Sequence, residues 1–416
     1  MAPVRRAPPL TMFKSTGSPP NSFPLYWLAQ ATSKLGDPIT LIALAALAYR
    51  VTGSALMTTL AVMVATLPQA TIGFFGGAIA DAVGLRRAMI WCDFLRALFI
   101  GMIPIALAVG FPLAVTFGLA LSAALCGSVF NPARVAILPS IVPPERLAAS
   151  NSLVYASDRV VEIVGAVLGG LLVASIGDAA FYVDALTFLV SGALLLLVRS
   201  SEQTARPTFD PRHLWASAIE GVRFLGRHRL LRANTVFSLL AQLSVGVSNG
   251  LLPVLIFRRF AKDDSQLGAQ LFGEAEAAMA IGAVAMSFLY ARMGRHQRKG
   301  RLLILGWLGY GVALLGVATS PTFETLLATL VAVGVLNVVF FVPNVTISQE
   351  LTPPELRARV FGARISLLSL SWLPIVLFAG GLADVVDVSV LIGAAGAFTV
   401  LVAVVASRVP AVADVP

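Results

Sequence analysis

Charged side chains inside long apolar runs are the residues of this sequence best placed to do chemistry. Asp37 stands within one such run, with Lys34 one helical turn earlier on the same face. Arg159 and Glu162 stand one turn apart in another run. An ionisable group at the centre of a membrane helix costs roughly 2.5–3.5 kcal/mol on insertion scales, so it normally faces a partner or a wet cavity.

A carboxyl group in such a low-dielectric cavity can take up and release a proton near neutral pH. Asp37 and Glu162 are therefore predicted to couple proton movement or to contact a substrate, with Lys34 and Arg159 beside them in the cavity. The alternative is structural: two static ion pairs, Lys34–Asp37 and Arg159–Glu162, that hold helices in register. The residue types alone leave both interpretations open.

Other kinds of chemistry find little support. The two cysteines, Cys92 and Cys126, stand inside apolar runs, as small buried residues do. The three histidines are far apart in polar stretches, and no metal-ligand spacing or grouping of nucleophile, base and acid emerges. The sequence predicts no metal, no cofactor and no enzyme active site.

Composition indicates the elements that must position the charged residues. The chain of 416 residues is 57% hydrophobic and 12% charged, with a mean hydropathy of +0.86. A soluble domain carries about 25% charged residues, so this surface must largely face lipid. About 20 apolar residues cross a bilayer. The runs long enough are 25–49, 56–80, 89–109, 113–138, 150–176, 181–198, 234–257, 271–290, 302–318, 326–351, 360–383 and 388–406.

These runs predict an all-α membrane protein with twelve transmembrane helices in two halves of six. Short strings recur between the halves, with an offset of 211 residues between Pro132 and Pro343. The pairs are FNP at 130–132 and FVP at 341–343, VPPE at 142–145 and TPPE at 352–355, and GGL at 169–171 and 380–382. Duplicated halves with a binding site at their interface are an architecture of secondary transporters.

The predicted segments are an N-terminal tail (1–23), a first half (24–199), a linker (200–232), a second half (233–408) and a C-terminal tail (409–416). In the linker, Trp215, Ile219 and Val222 recur at helical spacing beside charged residues. This pattern favours a short helix in the membrane interface, with a plain linker as the alternative. The polar first residues predict a tail rather than a cleaved signal peptide.

Basic residues predict the orientation. The loops of one side hold only Arg50, Arg258, Arg259 and Lys262, and four basic residues lie within spans: Lys34, Arg96, Arg159 and Arg364. All the remaining lysines and arginines fall on the other side, which is therefore predicted to be cytoplasmic and to carry both termini. The net charge of +9 is explained by this asymmetry and by anionic lipid, so nucleic-acid binding is not expected.

The loop after the second run has the composition of a tight turn between helices. Gly84 permits a positive φ, Gly77 permits close helix approach, and Asp81 can pair with Arg86 or Arg87 or cap a helix. At these five residues the sequence resembles the major facilitator superfamily, whose loop between helices 2 and 3 reads G-x-x-x-D-x-x-G-R-R/K. Leu85 stands where many members have arginine, and the second-half loop (291–295) lacks the aspartate.

The resemblance extends over nearly the whole chain. The strings LGD at 35–37, WCDFLRA at 91–97 and NPAR at 131–134 are similar to the branch that contains macrolide and multidrug exporters and the enterobactin exporter. In that family the loop motif latches the cytoplasmic side in the outward-facing state. Asp93 and Arg96, near the cytoplasmic end of helix 3, are assigned to this latch.

The fifth run carries Gly165, Gly169 and Gly170, which resemble the antiporter motif G-P-x-x-G-G with Ala166 in place of its proline. Small-residue packing of this helix on a neighbour, such as its partner from the other half, is the alternative interpretation. Glu274 and Glu276 are expected to begin the eighth helix, where carboxylates favour a helix N-terminus.

The resemblance implies a monomeric exporter in a bacterial inner membrane, which moves small amphipathic molecules of the drug or macrolide type in exchange for protons. Siderophore export and lysophospholipid transport by the same fold are alternatives. A membrane receptor or assembly protein that transports nothing is the alternative from another class.

Overall fold

In a bilayer core every backbone N–H and C=O must be satisfied within the chain, so apolar segments of this length fold as helices. The computed structural model describes residues 22–71, 73–200, 211–292, 299–353 and 356–413. Over these ranges the secondary structure is helical, with short turns and no strand. The predicted N-terminal tail lies almost entirely outside the described residues.

The first half contains seven helices, joined by short turns. They are α1 (Ser22–Thr52), α2 (Ala55–Thr71), α3 (Gly73–Val83), α4 (Leu85–Ala108), α5 (Leu113–Ile141), α6 (Pro144–Ile176) and α7 (Ala180–Leu197), with one 3₁₀ turn at Gly177–Ala179. α1 packs on α6 and α7, and α4 packs on α5 and α7.

The second half follows a connecting helix, α8 (Pro211–Arg227). Its helices are α9 (Arg229–Leu255), α10 (Ser265–Arg292), α11 (Lys299–Thr319), α12 (Phe323–Leu351), α13 (Arg357–Leu370), α14 (Trp372–Leu382), α15 (Val388–Ser407) and α16 (Pro410–Ala413), with a π turn at Ile256–Phe260. α11 packs on α12 and α15, while α10 packs on α12.

Nine helical segments of the described chain are long and apolar enough to cross a membrane. One of them, 150–197, is a 48-residue stretch that contains most of α6 and all of α7. Two shorter apolar helices, Ala55–Ala65 and Ser366–Leu382, lie where two further spans are expected. The all-helical membrane architecture is therefore confirmed, and the exact count of twelve stays a prediction.

The linker helix α8 is partly packed on the second half. Leu225 belongs to a small apolar cluster with Leu231, Val360 and Ala363. Ile219 and Val222, in contrast, are 51% and 47% exposed. An exposed apolar stripe is what a helix at the membrane surface presents. Its location in the interface, like the domain boundaries, stays a prediction.

The two halves meet along two sets of helices. α6 of the first half packs along α10 of the second half, and α2 packs against α9 and α14. Close approach depends on residues without side chains. A Cβ at Gly170 would lie 2.9 Å from the carbonyl oxygen of Ala269, and a Cβ at Gly380 would lie 3.2 Å from the Cα of Leu56. Small residues allow such contact where lipid supplies no hydrophobic driving force.

Candidate functional site

A cavity of about 380 Å³ lies between the helices of the first half and α10 of the second half. Its walls are apolar with charged groups set among them, which is the usual make-up of a small-molecule site. The charged residues that line it are Lys34, Asp37, Arg96, Arg134, Asp158, Arg159, Glu162, Asp184 and Glu276, and the apolar ones include Leu41, Ile42, Ile100 and Phe188.

Asp37 lies in the cavity wall and is bound by two cations. Lys34 Nζ lies 2.9 Å from Asp37 Oδ2, and the Arg96 guanidinium of α4 donates to Asp37 Oδ1. Arg96 is also stacked on Phe188 of α7, 3.8 Å from the ring centroid. The Lys34–Asp37 pair predicted from the sequence is thus present, with Arg96 as a second partner of the same carboxylate.

Two more carboxylates surround Arg96. Asp93 accepts hydrogen bonds from Ser33 (3.1 Å) and Ser191 (2.6 Å). Asp184 of α7 accepts from the hydroxyl of Thr40, and from that of Thr187 at 3.2 Å. Hydroxyl groups hydrogen-bond a carboxylate but add no positive charge.

The cluster formed by Lys34, Asp37, Asp93, Arg96 and Asp184 therefore holds three carboxyl groups and two cations. This places Arg96 and Asp93 differently from the sequence-based assignment. Their side chains contact α1 and α7 inside the first half, rather than the loop between α3 and α4.

Glu162 and Arg159 form the second predicted pair. Arg159 Nη1 lies 2.7 Å from Glu162 Oε2, and its guanidinium lies 5.4 Å from the centroid of the Tyr155 ring. Both charged side chains are well exposed, at 40% and 50%, and both line the cavity.

Glu276 faces the same cavity from the second half. The charges of Glu276 and Glu162 are close enough to interact. Among the described residues Glu276 forms neither a hydrogen bond nor an ion pair, whereas Glu274 accepts from Gln270 at 3.1 Å. The expectation that these two glutamates begin a helix is wrong. α10 begins at Ser265, where Asp264 accepts from the backbone of Gln266 and Leu267, so Glu276 lies in its fourth turn.

A third charged group extends the cavity wall along α5 and α6. Arg134 lies 2.8 Å from Asp158 and also donates to Gln30 of α1. The hydroxyl of Tyr26 donates to the backbone oxygen of Arg134 at 2.7 Å. Asp158 is thus paired with Arg134, while Arg159 is paired with Glu162.

At one end of the bundle the two halves are joined by hydrogen bonds around Asp384. Its Oδ1 accepts from the backbone N–H of Ala55 at 2.6 Å, and its Oδ2 accepts from Ser54 Oγ at 2.8 Å. Arg258 donates to the carbonyl oxygen of Ala383 (2.6 Å) and approaches both Gly53 O and Asp384 at 3.4 Å.

Tyr49 completes this contact, because its hydroxyl donates to Asp263 and its ring stacks on Phe257 with centroids 4.8 Å apart. A little deeper, Thr59 donates to the carbonyl oxygen of Gly250 at 3.1 Å. These hydrogen bonds fasten the two halves together at one end of the bundle. We call the end around Asp384 and Tyr49 the sealed end, and the opposite end, with the α3–α4 turn and α8, the basic end.

The α3–α4 turn at the basic end is built by glycine. Gly84 has φ +96° and precedes α4, and Asp81 is exposed. Arg86 donates from Nε to the carbonyl oxygen of Leu195 (3.1 Å) and from Nη2 to that of Leu196 (2.7 Å), so it binds the C-terminal carbonyls of α7. Gly77 has only an ordinary contact with Pro132, 3.7 Å from a Cβ built there.

The glycines of α6 face two different neighbours. Cβ atoms at Gly165 and Gly169 would lie 2.9 Å from Leu35 O and 3.0 Å from the Cα of Ile39, both on α1 of the same half. Gly170 faces α10 of the other half. Close packing therefore accounts for all three, and only Gly170 makes the contact between halves that was considered from the sequence.

Sequence reasoning missed Asp184 and Glu276 as cavity residues. Asp184 carried the same signal as Asp37, an acidic residue inside an apolar run, and could have been found by that rule. Glu276 was hidden because the apolar run begins six residues after the true start of its helix.

Comparison with known families identifies one match that extends over almost the whole chain. The family model described as Major Facilitator Superfamily matches residues 26–299 and 235–413. The chain is 28% identical over 372 residues to the multidrug efflux pump Tap of Mycolicibacterium fortuitum, covering 86% of this chain and 88% of that protein.

Two further similarities fit this match. The chain is 27% identical over 233 residues to the enterobactin exporter EntS of Escherichia coli O1:K1 / APEC, covering 55% of this chain and 53% of that one. The crystal structure of a mutant of the nucleoside transporter NupG superposes with a TM-score of 0.72 at 11% identity, covering 92% of this chain and 99% of NupG. At that identity the superposition shows the fold alone.

Proposed function

The chain belongs to the Major Facilitator Superfamily, and on that premise we propose that it exports amphipathic organic molecules in exchange for protons. It is a multi-pass membrane transporter and not an enzyme, with efflux pumps among its relatives. The observation that carries the proposal is one cavity, closed at one end by bonds between the halves, whose charged wall holds more carboxylates than cations.

The proposed orientation follows from charge. The basic end carries most of the arginines, so we place it in the cytoplasm of a bacterial inner membrane, together with both termini. The sealed end then faces outward. An exporter whose halves are joined on the outer side takes up substrate from the cytoplasm, and rocking of the two halves would release it on the other side.

The proposed proton site is the cluster of α1, α4 and α7. Asp37, Asp93 and Asp184 face Lys34 and Arg96 there, which leaves an excess of one negative charge when all three carboxyl groups are ionised. A proton neutralises that excess at little cost, whereas an unpaired charge in a membrane protein is expensive. Glu162, held by Arg159 and facing Glu276 across the boundary between halves, is the second candidate.

The proposed substrate is amphipathic because the cavity offers both kinds of surface. Leu41, Ile42, Ile100 and Phe188 provide apolar contact beside the carboxylates. Tap is named a multidrug efflux pump and EntS an enterobactin exporter, which favours organic molecules over ions. Drug-like molecules are preferred to siderophores, because a carboxylate-rich wall repels acidic ligands.

The experiment is transport by purified protein in proteoliposomes loaded at acidic pH, with the fluorescent dye rhodamine 6G and the macrolide erythromycin outside. Proton exit should drive probe into the lumen, and Asp37→Asn and Glu162→Gln should each reduce this flux at least about 10-fold. Glu274→Gln, which alters an acidic residue outside the cavity wall, is the matched control.

Three results would contradict the proposal. Undiminished gradient-driven flux in both carboxylate variants would remove these residues as proton carriers. Failure of the wild-type protein to move either probe, while siderophore or lysophospholipid moved, would replace the substrate class. Absence of any flux together with binding of a protein partner would indicate a receptor that transports nothing.

A further inference from the structure

Arg364 of α13 is a buried cation with no carboxylate beside it among the residues that the structure describes. The side chain lies among α9, α12 and α13 and is 4% exposed. Its Nη2 donates to Ser238 Oγ of α9 at 3.1 Å and to Asn344 Oδ1 of α12 at 2.5 Å. Both partners are neutral, and none of the described residues gives Arg364 an ion pair. The positive charge is therefore solvated by dipoles but not neutralised.

Several buried polar atoms on Arg364 and on the start of α9 have no hydrogen-bond partner within the described part of the chain. Arg364 Nε is buried and unbonded, and so are both amide atoms of Asn234 and the hydroxyl of Thr235. Asn234 precedes Ser238 by four residues on α9, so the two share one face, and Ser238 donates to the carbonyl oxygen of Asn234 at 2.7 Å. The Nε atoms of Arg96, Arg134 and Arg159 are unbonded too, so the feature particular to this region is the side chain of Asn234, whose two amide atoms are both without the partner that a buried polar atom nearly always has.

In the first half the corresponding pair of helices is joined by an arginine whose charge is neutralised. Arg134 lies among α1, α5 and α6, where it pairs with Asp158 at 2.8 Å and donates to Gln30. By the 211-residue offset, α12 corresponds to α5 and α13 to α6, so Arg364 lies on the counterpart of α6 and faces Asn344 on the counterpart of α5. The corresponding pair of helices is therefore joined by an arginine and a carboxylate in the first half, and by an arginine and a neutral amide in the second.

We propose that the side chains of Arg364, Ser238, Asn344 and Asn234 together bind a small inorganic anion, chloride-sized or a compact oxyanion, which supplies the negative charge that a carboxylate supplies in the first half. A buried charge requires a counter-ion or many hydrogen bonds, and Arg364 donates to two neutral groups. The Arg364 Nε and the Asn234 amide supply N–H donors, which suit an anion.

The proposed anion enters from the basic end. Asn234 lies five residues after the start of α9, and Arg364 and Asn344 lie seven residues from an end of α13 and α12 respectively. At 1.5 Å per residue these positions are roughly 10 Å from the helix ends, within reach of solution anions attracted by the basic loops. The ligand must be small because three packed helices enclose the position.

The experiment is thermal unfolding of the full chain in nanodiscs of phosphatidylcholine, which supply no anionic lipid, at constant ionic strength. Sodium chloride and sodium phosphate are each titrated against sodium gluconate, whose anion is too bulky to enter. Wild-type protein should show a saturable rise in apparent Tm of about 3 °C or more with chloride, phosphate or both. Arg364→Gln should abolish that rise.

Asn344→Asp is the decisive variant, because it puts a carboxylate of the same shape at the oxygen that Arg364 already contacts. It should raise the apparent Tm in gluconate and lose the response to added anion. Arg408→Gln, which alters an exposed arginine, should keep the wild-type response. An equal Tm in all three salts for wild-type protein would overturn the proposal, and so would an anion response that persists in Asn344→Asp.

Discussion

Glu276 is the charged group that the second half contributes to the described cavity wall. The other charged wall residues belong to the first half, and most of them are paired with each other. A carboxylate that has no partner in a low-dielectric cavity attracts whatever cation can reach it. We therefore expect Glu276 to favour positively charged substrates, and its surroundings to change when one half moves against the other.

Replacement of Glu276 by glutamine should weaken binding of a permanent cation such as ethidium by about 10-fold or more, because the wall loses one negative charge at nearly constant shape. Binding is measured by the change in ethidium fluorescence on purified protein. Glu274→Gln is the matched control, since Glu274 bonds to Gln270 on its own helix. Equal loss in both variants would show that the effect is not specific to the cavity.

At the scale of the residue, the sequence predicted the two ion pairs but not the residues that surround them. Lys34–Asp37 and Arg159–Glu162 are neighbours along one helix, so spacing alone predicts them. The contact between Arg96 and Asp37 joins residues 59 positions apart on different helices, and no local pattern encodes it. The ion pairs and the proposed titration remain two interpretations of the same residues.

At the scale of the element, the pairing of α6 with α10 depends on glycine. A Cβ at Gly170 would meet the carbonyl oxygens of Ala269 and Gln270 at 2.9 Å and 3.0 Å, and both are backbone atoms that can move only with their helix. The antiporter-motif interpretation and the packing interpretation of Gly170 are therefore compatible. A close contact between the two halves must also change when the halves rock against each other.

Gly170→Ala should destabilise the protein by about 1–3 kcal/mol, the usual cost of overpacking. Thermal unfolding in detergent measures this change as a lower apparent Tm. Gly118→Ala in α5 is the matched control, since nothing lies within 4 Å of a Cβ built there, and alanine is the better helix former. A Gly170→Ala protein as stable as the control would mean that α6 and α10 are not held this closely.

Hydropathy predicted the positions of the helices better than it predicted where each helix begins and ends. The eighth apolar run begins at residue 271, yet α10 begins at Ser265, because Asp264 caps polar residues that a hydropathy count excludes. A capping aspartate immediately before Ser265 was the available signal. In the linker, by contrast, the spacing of apolar residues did predict a helix, and α8 is found there.

At the scale of the whole molecule, the sealed end is held by a side chain that binds a helix terminus of the other half. Asp384 accepts from the first N–H group of α2, as a cap would, although it comes from a different half of the chain. Arg258 neutralises it and bonds to Ala383 beside it. Loss of the carboxylate leaves the N–H of Ala55 without its acceptor and Arg258 without its ion pair.

Asp384→Ala should therefore shift the population towards the form open at this end, by about 10-fold if the lost charged hydrogen bonds contribute roughly 1.5 kcal/mol. Spin labels at the exposed residues Val51 and Val385, in a protein whose cysteines have been replaced, report the distance across the end by pulsed EPR. Asp387→Ala, which removes the cap of α15 within one half, should leave the distance unchanged. An unaltered distance in Asp384→Ala would refute this role of the sealed end.

The concentration of charge in the first half also has an electrical consequence. Under the proposed mechanism, the excess negative charge of α1, α4 and α7 binds one proton from one side of the membrane and releases it on the other, so one elementary charge crosses the membrane field in each cycle. One elementary charge moved through that field is worth about 2.3 kcal/mol per 100 mV. Exchange of one proton for a neutral molecule would then move one net charge across the membrane, and the membrane potential alone would drive it. Exchange for a monovalent cation would be electrically silent and would depend only on the pH difference.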